Sequence, residues 1–378
     1  MMEKRKKILI TGGNGYVASR LAQHYLSQQP QTDVVLWLHA DAAAEFEHKR
    51  SKLETYFHDF DGRIEYRAGN LVAAEPFVEV DPKAIDIVVH AAAVTRFNVE
   101  QDLAQQVNVD GTEKLLKFCE RCRNLERVAL LSTVYSSGLR QGAIDETAFD
   151  SRYGFANYYE SSKWAAETML MTRYGHLPWQ IFRIATIIAD DNKGVVSQYN
   201  AFHNTLKLLY YGLLPILPGK PDTPLYFVTG QFVTESIFTL LLRAPLHGIY
   251  HVTHAREESL SLGKLLELTF STFSRESDFS RRRVMRPLYT DEQSFARLAD
   301  SIQGLSGTVI KQAVASVTPF SKQLFFRKEV QNARMVSYLQ SYRAPDQRQL
   351  VEKVCTYLMQ TRWGREAAGS ASRQALSA

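Results

Sequence analysis

Two residues capable of acid–base chemistry lie four positions apart in the stretch YYESSKWAAE, where Tyr159 and Lys163 form a YxxxK pattern. Because this stretch has helical periodicity, the two side chains are predicted to lie on one face of a helix. An ammonium group beside a phenol stabilises the phenolate and lowers the pKa of the tyrosine. Such a tyrosine can pass a proton to or from a carbonyl or hydroxyl group. The alternative is a solvated helix face, because YxxxK is also common by chance.

A hydroxyl-bearing segment, LLSTVYSSG, ends the strand that is predicted before this helix. Thr133 is our first choice for a hydrogen bond to the substrate oxygen, and Ser132 is the second. The alternative is that these hydroxyls only satisfy backbone groups at the strand end. The position of Tyr159 and Lys163 shortly afterwards favours the catalytic interpretation.

A glycine cluster directly follows a short apolar run in the stretch KKILITGGNGYVASRL. Gly12 and Gly15 permit a sharp turn from a buried strand into a helix that starts near Tyr16. The first N–H groups of a helix lack partners, so this end suits a phosphate. We therefore predict a pyrophosphate site for a dinucleotide. The alternative is a strand-turn-helix unit without a ligand.

The elements that must position these residues follow from the hydrophobic pattern. Apolar runs alternate with helical patterns through the first half of the chain. This alternation predicts an α/β fold of the doubly wound Rossmann type, a parallel sheet with helices on both faces. Strands are predicted over residues 6–11, 33–39, 63–71, 84–93, 126–133 and 178–188. Helices are predicted from Tyr16 onward and over residues 40–60, 99–122 and 157–175.

The alternation loosens after residue 190, and residues 256–365 have a mainly helical pattern. We predict a dinucleotide-binding domain over residues 1–190, with returning segments at about 225–255. A smaller, mainly helical substrate-binding region is predicted over residues 191–365, followed by a disordered tail over residues 366–378.

The composition bounds the class of protein. The 378 residues carry a formal net charge of +5, with 45% hydrophobic and 22% charged residues. This mild charge does not argue for nucleic acid, and it fits an anionic ligand or an acidic partner at least as well. The three cysteines suggest neither a disulfide framework nor a zinc site, so we expect a cytoplasmic protein without a metal. No apolar run reaches the roughly 20 residues that a transmembrane helix needs.

The glycine turn TGGNGYVA resembles the TGxxGxxG fingerprint of the extended short-chain dehydrogenases/reductases, with Ala18 in place of the third glycine. Together with this turn, Thr133, Tyr159 and Lys163 resemble the catalytic set of that family. The resemblance covers roughly residues 6–255. It implies an NAD(P)-dependent oxidoreductase.

Further pieces of the sequence resemble family motifs. AGNL is similar to the family's GDL, HAAAVTRFN to its HxAA strand end, NVDGTEKLL to its NxxGT, and IFRIATII to its RP segment. The catalytic residues thus implied are Thr133, Tyr159, Lys163 and Asn108, the last bracing the sheet centre. The implied substrate contacts are Thr95, Arg96, Phe97 and Ser132. The predicted cofactor contacts are Thr11, Gly12, Asn14, Gly15, Tyr16, Val17, His39, Arg50, Asn70, Leu71, Ala91, Ala92, Ala93, Lys163, Arg183 and Ile184.

The second strand bears on the choice of coenzyme. In NAD enzymes an acidic residue near the end of this strand binds the ribose diol. Here LWLHAD places His39 at that position, and Lys49 and Arg50 follow on the next helix. A missing carboxylate with nearby cations favours the 2′-phosphate of NADP(H). The alternative is NAD(H), with Asp41 on the ribose.

The segments HAAAVTRFN and STVYSSG look more like fatty acyl-CoA reductases and thioester reductases, of the male-sterility type, than like sugar epimerases. This resemblance implies NADPH-dependent reduction of an acyl thioester, carried by CoA or by an acyl carrier protein, to an aldehyde or alcohol. The apolar run at residues 206–217 suits an acyl chain or the core. The cluster Arg281–Arg283 suits CoA phosphates or an acidic carrier protein, although a solvated face is favoured.

Two other functions stay open. One is an NAD(P)-dependent dehydrogenase or epimerase that acts on a hydroxy or keto group of a steroid-like or sugar-nucleotide substrate. The other is a non-catalytic dinucleotide sensor, which the presence of both Tyr159 and Lys163 disfavours. A homodimer through the helices of residues 100–122 and 156–174 would fit the family.

Overall fold

A seven-stranded parallel sheet lies at the centre of the protein, whose computed structural model describes residues 5–303, 309–340 and 342–365. Across the sheet the strands run in the order β3, β2, β1, β4, β5, β6, β7. Their bounds, in chain order, are β1 Lys6–Thr11, β2 Thr32–His39, β3 Ile64–Gly69, β4 Ile87–His90, β5 Arg127–Thr133, β6 Trp179–Ile184 and β7 Gly248–Val252. The order reverses between β1 and β4, where such sheets bind ligands at their carboxyl ends. The predicted fold class is confirmed.

Helices flank the sheet and form much of the C-terminal part. They are α1 Tyr16–Gln28, α2 Ala43–Tyr56, α3 Gln101–Ala104, α4 Gly111–Cys119, α5 Tyr158–Arg173, α6 Ala201–Tyr210, α7 Gly230–Arg243, α8 Leu262–Phe273, α9 Ser277–Arg282, α10 Glu292–Gln303, α11 Val309–Ser321, α12 Ala333–Tyr338 and α13 Gln347–Gln360. Because helices cover both faces, central strand residues such as Ile8, Leu9 and Ile10 have no exposed surface.

The helix predicted over residues 99–122 contains a segment of a different helix type. Between α3 and α4 the backbone forms a π-helix over Gln105–Asp110. In this wider turn the amide of Asn108 bonds both backbone groups of Val94, accepting from its N–H at 2.8 Å and donating to its carbonyl at 3.0 Å. The predicted helix is therefore present over residues 101–119, and its π-helical segment is a feature that periodicity does not register.

The strand predicted over residues 178–188 is also divided. It consists of β6 and a second strand, Thr186–Ala189, separated by Ala185. This second strand leaves the main sheet and pairs in parallel with Phe227–Thr229. The chain thereby turns from the central sheet toward the C-terminal part, which hydrophobicity alone did not indicate.

A second cluster of buried hydrophobic residues lies in the C-terminal part, drawn mainly from α6, α8, α11 and α13. Short strands there and nearby are Gly142–Ile144, Ile216–Pro218, Pro224–Leu225, Leu260–Ser261, Leu288–Thr290 and Lys328–Val330. The division into two domains stays a prediction, and the predicted tail over 366–378 lies outside the described residues. Within the described part, no helix is both long and apolar enough to cross a bilayer.

Candidate active site

The glycine turn between β1 and α1 packs closely against the backbone after β4 and leaves the start of α1 uncapped. Gly12 has a φ of +67°, and a Cβ added there would lie 2.9 Å from the Cα of Ala92. Gly15 is the N-cap of α1 without a side-chain cap, and the first turn of this helix holds no acidic residue. The first N–H groups of α1 are thus left to an anion, which fits a dinucleotide pyrophosphate.

A cavity of about 580 Å³ runs from this turn along the carboxyl ends of β4, β5 and β6. Ala91 and Ala93, directly after β4, lie on its wall together with Ile184 at the end of β6. The C-terminal part supplies a strongly apolar wall, formed by Val196, Phe202, Leu217, Leu225, Phe227, Leu262, Leu265, Phe320 and Leu324.

Thr133, Tyr159 and Lys163 meet on the wall of this cavity. Thr133 ends β5, whereas the other two lie in the first turns of α5. This helix starts where it does because the side chain of Asn157 accepts a hydrogen bond from the N–H of Glu160 at 3.0 Å. The hydroxyls of Thr133 and Tyr159 are hydrogen-bonded, and Lys163 Nζ donates to the carbonyl of Leu131 at 2.7 Å.

Burial controls the acid–base properties of this group. It raises the pKa of Tyr159, and the hydrogen bond with Thr133 only partly offsets it. Burial also lowers the pKa of Lys163 to about 8, with the Glu167 carboxylate acting in the opposite direction. The prediction of a lowered tyrosine pKa is therefore wrong, because desolvation of the phenol dominates.

Asn108 lies behind the catalytic group and does not line the cavity. Its Nδ2 donates to the hydroxyl of Ser162 on α5 at 2.9 Å, in addition to its bonds with Val94. It therefore connects the segment after β4 to the helix that carries Tyr159. Its place fits the bracing part of its predicted role, and its catalytic role stays a prediction.

A buried ion pair joins β6 to α5. Arg183 Nη2 donates to Glu167 Oε2 at 2.7 Å, and these two side chains are 0% and 1% exposed. Ser132 also donates to Glu167. The predicted contacts of Arg183 with coenzyme and of Ser132 with substrate are therefore corrected, because Glu167 engages both side chains away from the cavity.

The end of β2 brings together several residues considered for coenzyme choice. Lys49 Nζ donates to the carbonyl of His39 at 2.8 Å and to Glu45 at 2.6 Å. Asp41 accepts a hydrogen bond from Asn70 Nδ2 at 2.6 Å. Arg50 instead pairs with Glu47 and Glu54 and lines a separate depression. Its predicted contact with the coenzyme stays a prediction, and these two carboxylates compete for its guanidinium.

The structure thus divides the predicted residues into two groups, while their roles stay predictions. It brings to the cavity wall Gly12, Gly15, Tyr16, Val17, Ala91, Ala93, Thr95, Phe97, Thr133, Tyr159, Lys163 and Ile184. It places outside that wall Thr11, Asn14, His39, Arg50, Asn70, Leu71, Ala92, Arg96, Asn108, Ser132 and Arg183. Thr11 is fully buried, with its hydroxyl bonded to His90 Nδ1 at 2.7 Å.

The sequence analysis did not predict several residues of the cavity wall. Some follow a strand closely, and others lie far along the chain. Tyr135 and Thr186 follow β5 and β6 closely, and a polar residue just after a parallel strand is a signal that could have found them. Phe320 and Gln323 lie far along the chain, and no local pattern marks them. The cluster Arg281–Arg283 is exposed, as the favoured interpretation expected.

Comparison with known proteins gives a consistent picture. A family model described as Male sterility protein matches residues 10–237. Over 165 residues the chain is 27% identical to fatty acyl-CoA reductase 2, chloroplastic, of Arabidopsis thaliana, a match that covers 38% of this chain and 27% of that protein. Over 212 residues it is 29% identical to a carboxylic acid reductase of Segniliparus rugosus, covering 49% of this chain and 18% of that protein. The chain spans between 27% and 34% of the length of the plant fatty acyl-CoA reductases that it matches.

A solved structure extends the likeness over nearly the whole chain. The terminal R domain from the myxalamid PKS-NRPS biosynthetic pathway aligns with a TM-score of 0.75 at 16% identity, covering 96% of this chain and 92% of that chain. At this identity the match shows a shared fold, including the C-terminal part, and no more.

Proposed function

Because the chain belongs to the Male sterility protein family, among the extended short-chain dehydrogenases/reductases, we propose that it reduces acyl thioesters with a nicotinamide coenzyme. One observation carries this proposal. Thr133, Tyr159 and Lys163 share a single cavity whose opposite wall is apolar. The three polar residues suit reduction of a carbonyl group, and the apolar wall suits an acyl chain.

The protein's own residues have distinct parts in this reaction. A nicotinamide coenzyme, when bound along the glycine turn and Lys163, would supply the hydride for the thioester carbonyl. Thr133 and Tyr159 donate hydrogen bonds to the carbonyl oxygen, where negative charge develops. The raised pKa of Tyr159 keeps its hydroxyl protonated, so that it can deliver a proton to this oxygen. The Lys163 ammonium binds the coenzyme ribose.

The substrate class rests on the cavity and on the named relatives. Nine apolar side chains of the C-terminal part outnumber the polar residues Gln198, Asn200, Thr205 and Gln323 on the same wall, and this balance favours an acyl chain over a sugar or a diphosphate. The relatives named as fatty acyl-CoA and carboxylic acid reductases agree with an acyl substrate. We include acyl-CoA and carrier-protein thioesters, with an aldehyde or an alcohol as product.

NADPH is the coenzyme that we favour. His39 ends β2 where a diol-binding carboxylate would stand, and the Lys49 ammonium lies against its carbonyl. Asp41 is the competing feature; Asn70 donates to its carboxylate, just as Glu45 accepts from the Lys49 ammonium. The assay below therefore compares NADPH with NADH.

The test follows coenzyme oxidation by absorbance with NADPH and with NADH. Medium and long acyl-CoAs are offered beside acyl carrier protein thioesters, ketones and sugar nucleotides. We expect turnover of thioesters with NADPH and a loss of at least about a hundredfold in Tyr159→Phe, the usual range for a lost proton donor. Turnover of ketones or sugar nucleotides alone would contradict the thioester proposal. Faster turnover with NADH would contradict the coenzyme choice.

A further inference from the structure

A second pair of hydroxyl groups faces the same cavity. The hydroxyls of Tyr135 and Thr186 are hydrogen-bonded at an O···O distance of 3.0 Å, and both residues line the wall. Two hydroxyls carry two protons, and the bond between them uses one. One O–H is therefore left to donate to a ligand in a wall that is otherwise largely apolar.

This pair lies beside the catalytic tyrosine. The ring of Phe97 makes edge contacts with Tyr135 and with Tyr159, at centroid distances of 5.8 and 5.7 Å. On the chain, Tyr135 stands two residues after Thr133, whose Oγ1 accepts from the Tyr135 N–H at 3.3 Å. Both tyrosines therefore pack against the same aromatic ring on the cavity wall.

The proposed reaction develops negative charge at two atoms. The first is the carbonyl oxygen, to which Thr133 and Tyr159 donate hydrogen bonds. The second is the sulfur, which must leave with the electron pair of the C–S bond. A preorganised donor at this atom would stabilise the departing thiolate, as donors at an oxyanion do.

We propose that Tyr135 is a further catalytic residue, which donates a hydrogen bond to the thioester sulfur as the C–S bond breaks. This inference rests on the proposed function. In the step, the tetrahedral adduct R–CH(OH)–SR′ returns its hydroxyl proton to the Tyr159 phenolate, the C=O bond re-forms and R′S⁻ departs. The thiolate then takes a proton from water, and the step needs no other reactant.

The surroundings of Tyr135 support donation without proton transfer. Burial raises the pKa of this phenol, and the hydrogen bond with Thr186 acts in the opposite direction. The hydroxyl therefore stays protonated at neutral pH. Lys328 Nζ lies 6.0 Å from the ring centroid, and its hydrogen bonds to Ser137 and Gly138 hold it in place.

The experiment compares two substrates with the same acyl group, an alkyl thioester and an aryl thioester. An aryl thiolate is the more stable leaving group and needs less help. In Tyr135→Phe we expect kcat to fall about tenfold or more with the alkyl thioester, toward the lower end of the loss for one missing donor. With the aryl thioester we expect a loss of less than about threefold. The coenzyme Kd, from quenching of tryptophan fluorescence, should stay unchanged.

Three further variants test the interpretation. Thr186→Val should reproduce the leaving-group effect in a weaker form, and Thr186→Ser should restore the rate. Tyr158→Phe removes an exposed hydroxyl beside Tyr159 and should match the unaltered protein.

Three results would overturn the inference while leaving the proposed function intact. They are an unchanged rate in Tyr135→Phe, an equal loss with both leaving groups, and a weakened coenzyme Kd. If the unaltered protein reduces no thioester at all, the proposed function and this inference fail together.

Discussion

Lys163 is a buried cation with one direct hydrogen bond, to the carbonyl of Leu131 at 2.7 Å. The neighbouring carboxylate of Glu167 favours its charged form, but burial has the larger effect and lowers its pKa to about 8. Tyr159 has the opposite balance, because burial favours its neutral form. At neutral pH the pair therefore consists of an ammonium and a protonated phenol, the forms that the proposed reaction requires.

This balance predicts a pH dependence. As the pH rises through about 8, Lys163 in the free protein loses its proton and with it the charge that the proposed coenzyme contact uses. We expect kcat/KM for a thioester to fall about tenfold per pH unit above that value. In Lys163→Arg the charge persists, because arginine stays protonated, so this descending limb should disappear even if the rate is lower. An identical limb in both proteins would contradict the assignment.

At the scale of elements, a C-terminal segment holds the start of α5. Asn157 Nδ2 donates to the carbonyl of Pro319 at 2.9 Å, and Gln323 Nε2 donates to Glu160 at 2.8 Å. Lys328, fully enclosed beside the start of α5, attracts the Glu160 carboxylate. Burial raises the pKa of Glu160 and lowers that of Lys328, while their mutual attraction acts against both shifts. The helix carrying Tyr159 is thus positioned by residues more than 150 positions away in the sequence.

The buried pair of Glu160 and Lys328 predicts a stability effect. Lys328→Met removes the cation that attracts Glu160 and leaves Ser137 and the Gly138 carbonyl without their donor, so the free energy of unfolding should fall by about 1–3 kcal/mol. The double variant Glu160→Gln/Lys328→Met removes both charges and should recover more than half of this loss. Urea unfolding followed by circular dichroism measures both values.

Lys322 offers a matched control in the same segment, because its side chain is exposed. Lys322→Met should change the stability by less than about 0.5 kcal/mol. If Lys328→Met were no less stable than this control, the pair would contribute nothing to the docking of the segment.

At the scale of the whole molecule, the cavity combines two chemistries. The ends of the central strands supply hydroxyl and ammonium groups, and the second hydrophobic cluster supplies apolar surface. The chain crosses between them through the paired strands Thr186–Ala189 and Phe227–Thr229. A ligand with a polar reacting group and a long apolar tail matches this division.

A bulky side chain at the apolar end of the cavity should therefore weaken the binding of long acyl chains. Thr205 on α6 lines the cavity and is partly exposed. Thr205→Trp should displace at least two methylene groups of a 16-carbon acyl-CoA, and at about 0.8 kcal/mol each its KM should rise more than about tenfold. The KM for butyryl-CoA and the coenzyme Kd should stay within about twofold.

The neighbouring residue Asn204 is exposed on the same helix and does not line the cavity. Asn204→Trp should leave every acyl-CoA unaffected. A parallel rise in KM for short and long chains in Thr205→Trp would place the acyl chain elsewhere.

The sequence by itself determined the sheet, the glycine turn and the spacing of Tyr159 and Lys163, because buried strands and helix faces are local patterns. Only the tertiary structure decided which hydroxyls face the cavity. It turned Ser132 and Arg183 toward Glu167, since a buried carboxylate requires partners. It also brought Phe320 to the ring of Phe97, at 6.0 Å, which no local signal encodes. From the sequence, Lys163 is expected to lower the pKa of Tyr159. Burial, which exists only in the folded chain, raises this pKa instead.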